Sequence, residues 1–335
     1  MRFIRNAWRK FMSERKFKLF DFNKDGKGVS KDDVDGPPNL ATFFKKYKRK
    51  FSRLLSVNIF MVLGNFPLFF AGFAMAGYGA IQSTVQKYAI FPAIHTISMF
   101  DGSPVTDALN AVYGMQSPLT VNTTVTYVLY ALALLTLLTF GLTNVGTTYI
   151  LRNLVKGDPV FMWSDFWYAI KRNWKQGLFL GVIDCIACFL LVFNVRFYFN
   201  TLNGAFLNGI LFYLSLAMVI LYFFMRFYMY ILMVTFDLSI FKILKNSLIF
   251  SIIGFKRNFM ATLGIIVLII LNLFVFYYIP SLGIVLPMVV TLSNGAFMST
   301  YAAWFKIKQI MIDPYEENKP DEPDEPPLAV DDVSQ

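Results

Sequence analysis

The chain reads as an all-α polytopic membrane helix bundle with about six transmembrane helices and further interfacial helices on the cytoplasmic side. Three observations point there. Of 335 residues, 56% are hydrophobic and only 16% charged, and the mean hydropathy is +0.52, too apolar for an ordinary soluble domain. The apolar residues are gathered into six runs close to the roughly 20 residues a helix needs to cross a bilayer. The basic residues lie between those runs instead of along one face, which excludes nucleic acid as the partner of the +10 charge.

The predicted spans are 55–79, 126–149, 176–196, 206–230, 259–279 and 281–304, forming a transmembrane bundle over 54–304. Before them, residues 1–53 form a basic tail with an interfacial helix, whose first apolar run comes too late for a cleaved signal peptide. Threading the spans places every Lys and Arg except Lys87, Arg196 and Arg226 on one side. By the bias of basic residues toward the cytoplasm, both termini are expected there. Residues 80–125 then make the one sizeable outer loop, broken by Pro92, Asp101, Gly102, Pro104 and Pro118. Residues 305–335 are acidic and proline-rich, a composition that predicts a disordered tail.

Basic, aromatic segments precede each inward-to-outward span: Phe43 to Phe51, Asp165 to Trp174 and Asp237 to Phe259. Lys171, Arg172, Asn173, Trp174 and Lys256, Arg257, Asn258, Phe259 are near copies. They read either as a duplicated hairpin unit or as basic and aromatic residues independently seeking headgroup depth.

Asp184 is the most informative residue, since a carboxylate in the middle of a span must face protein or water. Arg226 lies near the cytoplasmic end of the fourth span. Two readings stand: a charge pair lining a cavity, or an Arg reaching outward with a neutral Asp bonded to a neighbour. Asn65, Asn144 and Asn272 add intramembrane amides that either join helices or line a polar path. Gly64, Asn65, Phe66, Pro67 should break or kink the first helix, because proline removes a backbone donor and clashes with the preceding turn.

Cys185 and Cys188 are too few for a thiolate metal site and sit in an apolar run, where small buried residues are the expectation. Asp21, Asn23, Asp25, Gly26 and Asp32 match calcium-loop positions 1, 3, 5, 6 and 12. Gly28 departs from the usual apolar position, and Asp32 is shorter than the usual Glu, so a solvated charged turn stands as the other reading. No GxxxxGK[ST], HExxH or GxSxG pattern occurs, so neither an enzyme nor a cofactor is implied.

Gly141, Leu142, Thr143, Asn144, Val145, Gly146, followed by Tyr149, Arg152, Asn153, Gly157, Asp158, Asp165, Phe166, Trp167, Lys171, Asn173 and Lys175, resemble the YesL-like family of bacterial membrane proteins. Gly28, Val29, Lys31, Phe43, Phe44, Arg49, Lys50, Phe51, Asn58 and Pro67 fit the same family. The resemblance implies a multi-pass protein of a bacterial cell membrane, often encoded near sugar-uptake systems and without an established activity. It carries over no catalytic residue. Two functions follow as expectations: a non-enzymatic accessory or regulatory component of carbohydrate uptake, docking on a sugar-transporter permease, or a small-solute or proton-coupled transporter using Asp184 and Arg226. Convergence of the polar residues on one cavity would favour the second.

Overall fold

The structure is a computed structural model, and it describes residues 39–100, 102–202 and 206–317. Within these, five helical stretches are long and apolar enough to span a bilayer, and a sixth is a bent pair. The sequence expectation of a membrane helix bundle holds.

Helix α1 (Leu40–Gly64) starts at Asn39, whose side chain accepts the Thr42 amide at 2.9 Å and so satisfies one of the helix's orphan donors. It runs unbroken through the basic segment expected as a separate interfacial helix. At Asn65 it stops, and α2 (Pro67–Met75) leaves at 63°, the break that Pro67 imposes.

The segment expected as the outer loop holds a two-stranded antiparallel hairpin, β1 (Ala80–Gln86) against β2 (Gln116–Asn122), with Ala80 opposite Asn122 and Gln86 opposite Gln116. Gly79, at φ 81°, turns the chain into β1 in a conformation that side chains resist. Between the strands lie α3 (Phe91–Phe100) and α4 (Pro104–Tyr113), the latter capped by Ser103. The prolines expected to break the loop sit inside its ordered pieces: Pro92 and Pro104 in the first turns of α3 and α4, and Pro118 within an exposed strand, where no central ladder partner is lost.

The second span is α5 (Thr124–Ala133) followed by α6 (Thr136–Lys156). Gly157, at φ 96°, ends α6 by returning its amide to the Asn153 carbonyl at 2.9 Å. After it, α7 (Met162–Asn200) begins where the Asp165 carboxylate accepts the Phe161 amide at 2.9 Å. Within α7 the backbone leaves helical values at Asn173, whose side chain takes up the Ala169 carbonyl at 3.1 Å.

The fourth span is α8 (Phe206–Thr235), which returns through α9 (Ile240–Ile253) to α10 (Phe255–Tyr278). Asn258 bridges the turn between α9 and α10: its amide donates to the Ser251 carbonyl at 3.1 Å, and Tyr228 donates to its oxygen at 2.7 Å. The near-copied asparagines therefore share a task, since each gives a hydrogen bond to a backbone carbonyl where an end-lying helix turns into a span.

The last span joins α11 (Pro280–Leu286), a π-helical turn (Pro287–Thr291) and α12 (Leu292–Ile307). The chain stays helical past residue 305, where a tail was expected: a second π turn (Lys308–Ile312) leads into α13 (Asp313–Glu317). Residues 318–335 lie outside the described part.

The core lies toward the basic end, where Leu54, Ile150, Leu154, Tyr228, Leu232, Phe297 and Ile307 are buried. Elsewhere the apolar residues face outward. The most apolar stretch of α10 buries none of its residues, as expected where lipid replaces water as the surrounding medium. Several basic residues at that end answer helix ends: Lys46 donates to the Val155 carbonyl at 2.9 Å, and Arg152 to the Val234 carbonyl at 2.7 Å. These are the C-terminal carbonyls of α6 and α8, where a cation meets orphan acceptors and the negative end of the dipole.

Candidate functional site

Helix geometry returns side chains to one face every three to four residues. On α8 that rule aligns Tyr222, Arg226 and Tyr230, and all three face Asp184 of α7, which is fully buried. Tyr222 donates to Asp184 Oδ1 at 2.8 Å, and Tyr230 to Oδ2 at 2.9 Å. Arg226 Nε sits between them, 3.0 Å from Oδ1 and 3.1 Å from Oδ2. One turn further along α7, the Cys188 thiol reaches Oδ1 at 3.6 Å. The lone pairs of Asp184 that water would occupy are thus occupied by protein donors. Of the two sequence readings, the pair is the one observed.

Arg226 also lies over the Phe140 ring, 5.4 Å from its centroid, a face that attracts a cation. Its side chain is 32% exposed, and it lines a cavity of about 400 Å³ between α1, α6, α8, α10 and the π turn leading into α12. Such a volume lies within the range of small-molecule sites.

Two irregularities of the backbone meet this cavity. Asn65, at the break between α1 and α2, lines it, as does Thr291, the last residue of the π turn. Asn58 supports the second from behind: its amide donates to the Pro287 carbonyl at 3.0 Å, and its oxygen accepts the Ser293 amide at 2.8 Å. The backbone groups loosened by the π turn are thereby satisfied, as an apolar surrounding requires.

The sequence-predicted residues divide as follows. Asn65, Asn144 and Arg226 line the cavity, Asp184 stands behind Arg226, and Asn272 reaches the lining through a 3.2 Å hydrogen bond to the Thr291 hydroxyl. Asn65 spends its amide on the Met61 carbonyl, which leaves its oxygen buried without a partner among the described residues, and the Asn144 amide nitrogen is in the same condition. Cys185 and Cys188 are free thiols. The calcium-like turn of Asp21, Asn23, Asp25 and Asp32 lies outside the described residues, and among the described ones no His, Cys, Asp and Glu cluster suited to a metal occurs.

Sequence reasoning passed over Tyr222 and Tyr230, although their four-residue spacing on either side of Arg226 was visible. It named Asn58 only within the family resemblance, because its role depends on a π turn more than two hundred residues away. A third omission is the close approach of α6 and α7. Gly177 and Gly181 are four apart, and Gly141 packs against them so tightly that a Cβ on Gly141 would lie 2.6 Å from the Gly181 Cα, the small-residue contact by which membrane helices pack.

Fold and site together define an integral membrane protein: a helix bundle around a partly polar internal cavity. Residues 120–195 match the family described as protein of unknown function, DUF624. The matched segment spans α5, α6 and most of α7, including Asn144 and Asp184, and it contains the first set of residues that resemble YesL-like proteins. No curated protein and no solved structure matches the chain.

Proposed function

We propose that the protein is a non-enzymatic carrier of a small polar solute, bound in the cavity between α1, α6, α8, α10 and α12, and that it lies in a bacterial cell membrane with both termini cytoplasmic. The supporting observation is convergence: Asn65 and Asn144 bring an unpartnered acceptor and an unpartnered donor to the cavity that Arg226 lines. Buried polar atoms without partners cost stability, and a ligand that supplies those partners recovers it. Helix breaks at depth mark substrate sites in many transporters, and here one break and one π turn meet the same space. Because Asp184 neutralises Arg226, an uncharged solute rich in hydroxyl or amide groups fits best. The acids of the α6–α7 region support the non-enzymatic reading, since Asp158 pairs with Lys156 at 3.0 Å and Asp165 caps α7.

A thermal-shift screen of the purified protein against neutral sugars, polyols and amino acids tests this reading, followed by uptake of any hit into proteoliposomes. The expected result is stabilisation by one class, lost in Asn144→Leu, while that variant without ligand is at least as stable as the parent. A loss of stability in Asn144→Leu, with no solute shifting the parent, would overturn it.

The second reading is a component attached to a carbohydrate-uptake permease. It draws on Trp163, Trp167 and Trp174, which are exposed on the basic-end part of α7 and are residue types suited to a protein contact. Recovery of a permease on affinity purification from native membranes, lost when these tryptophans are changed to Ala, would support it over independent transport.

A further inference from the structure

A groove separate from the central cavity lies at the basic end, on the outside of the bundle. The first turn of α10 carries Lys256 and Arg257, and from there a groove of about 380 Å³ runs between α10, α12 and the start of α1. Its walls are apolar: Leu40, Phe43 and Phe44 on α1, Met260 on α10, Met298 and Phe305 on α12. Leu40 and Phe44 are each 61% exposed and Met260 is 50% exposed, so the groove is an outer surface. Gly264 keeps it deep, since a Cβ there would stand 3.1 Å from the Met298 sulfur.

Arg257 is only partly exposed. Its Nη1 is buried and has no hydrogen-bond partner among the described residues. A guanidinium nitrogen hidden from water and without an acceptor is costly, and the groove residues named above supply no carboxylate. An anionic oxygen entering at the polar end would meet the positive charge of Arg257, with Lys256 adding a second. The rest of the groove has nothing to offer a free anion, whereas an acyl chain would cover its apolar walls.

We propose that this groove binds one anionic phospholipid, its phosphate on Arg257 and Lys256 and an acyl chain along Met260, Gly264 and Met298. Basic pockets between membrane helices take lipid headgroups in this way. The site is separate from the central cavity and stands whether or not that cavity carries a solute.

The test is native mass spectrometry of the full-length protein in detergent, delipidated and then given phosphatidylglycerol, phosphatidylcholine or inorganic phosphate. The expected result is a single retained phosphatidylglycerol, with little phosphatidylcholine, and no displacement by phosphate. Losing one basic contact should weaken retention about fivefold, so Arg257→Gln and Lys256→Gln should each do so, while Lys242→Gln on α9 should not. Gly264→Leu, which fills the groove and leaves both charges, should also reduce retention. Equal retention of the two lipids, displacement by inorganic phosphate, or unchanged retention in Gly264→Leu would each overturn the proposal. The lipid comparison on the unaltered protein stands even if Arg257→Gln fails to fold.

Discussion

Asp184 and Arg226 are joined through a single nitrogen, Nε, which lies almost equally far from the two carboxylate oxygens at 3.0 and 3.1 Å. The contact anchors the inner part of the guanidinium on α7 while a third of the side chain remains exposed. One residue thus serves both helix pairing and cavity lining.

Asp184→Asn keeps the shape of the side chain but directs an NH2 group at donors and leaves Arg226 unpaired. Breaking a fully enclosed ion pair costs about 3–5 kcal/mol. Given the exposure of Arg226, about 1–3 kcal/mol is expected here. Adding Arg226→Gln should return part of that loss. Thermal unfolding of both single variants and the double variant measures the coupling, and strict additivity would show that the pair does not contribute as one unit.

Tyr222→Phe and Tyr230→Phe each remove one donor to Asp184 without changing packing. Each should destabilise by about 1 kcal/mol. Tyr230, the more buried of the two, should show the larger loss. Equal stability of Tyr230→Phe and the parent in the same unfolding assay would mean that Asp184 is satisfied without it.

Asn58→Leu removes both hydrogen bonds to the π turn and leaves the Pro287 carbonyl and the Ser293 amide buried. A loss of about 2–4 kcal/mol is expected. Hydrogen exchange should show increased exposure of amides around 287–293, because those groups would then look for water.

Gly181→Ala places a methyl group against the backbone of Gly141, 2.6 Å from its nitrogen. Forcing α6 and α7 apart should cost about 1–3 kcal/mol. Gly209→Ala, where nothing lies within 4 Å of the added carbon, should be neutral or slightly stabilising, since alanine is the better helix former. A matching drop in both variants would indicate an effect of composition rather than of packing.

The break at Gly64–Pro67 was legible because proline acts on its own turn. The Asn173 and Asn258 repeat was legible as a pattern but not as a cause, because the cause is a backbone carbonyl released by a turn. Asp184 stood out because a carboxylate in an apolar run needs a partner. Its partners were harder to name, since Tyr222 and Tyr230 are ordinary residues in an aromatic helix until α7 is set beside it.

What the sequence alone determined is the membrane bundle, the break after α1 and the need of Asp184 for a partner. These follow from length, apolarity and the cost of burying charge, which are properties of single segments. Only the tertiary structure decided that Arg226 pairs with Asp184, that Asn65 and Asn144 meet at one cavity while Asn58 closes a π turn, and that Gly141 enters the notch of Gly177 and Gly181. Those outcomes depend on which helix faces lie together, and where so many large apolar residues are exposed on every long helix, hydrophobicity cannot choose among the faces. Close packing and the pairing of buried polar groups make that choice.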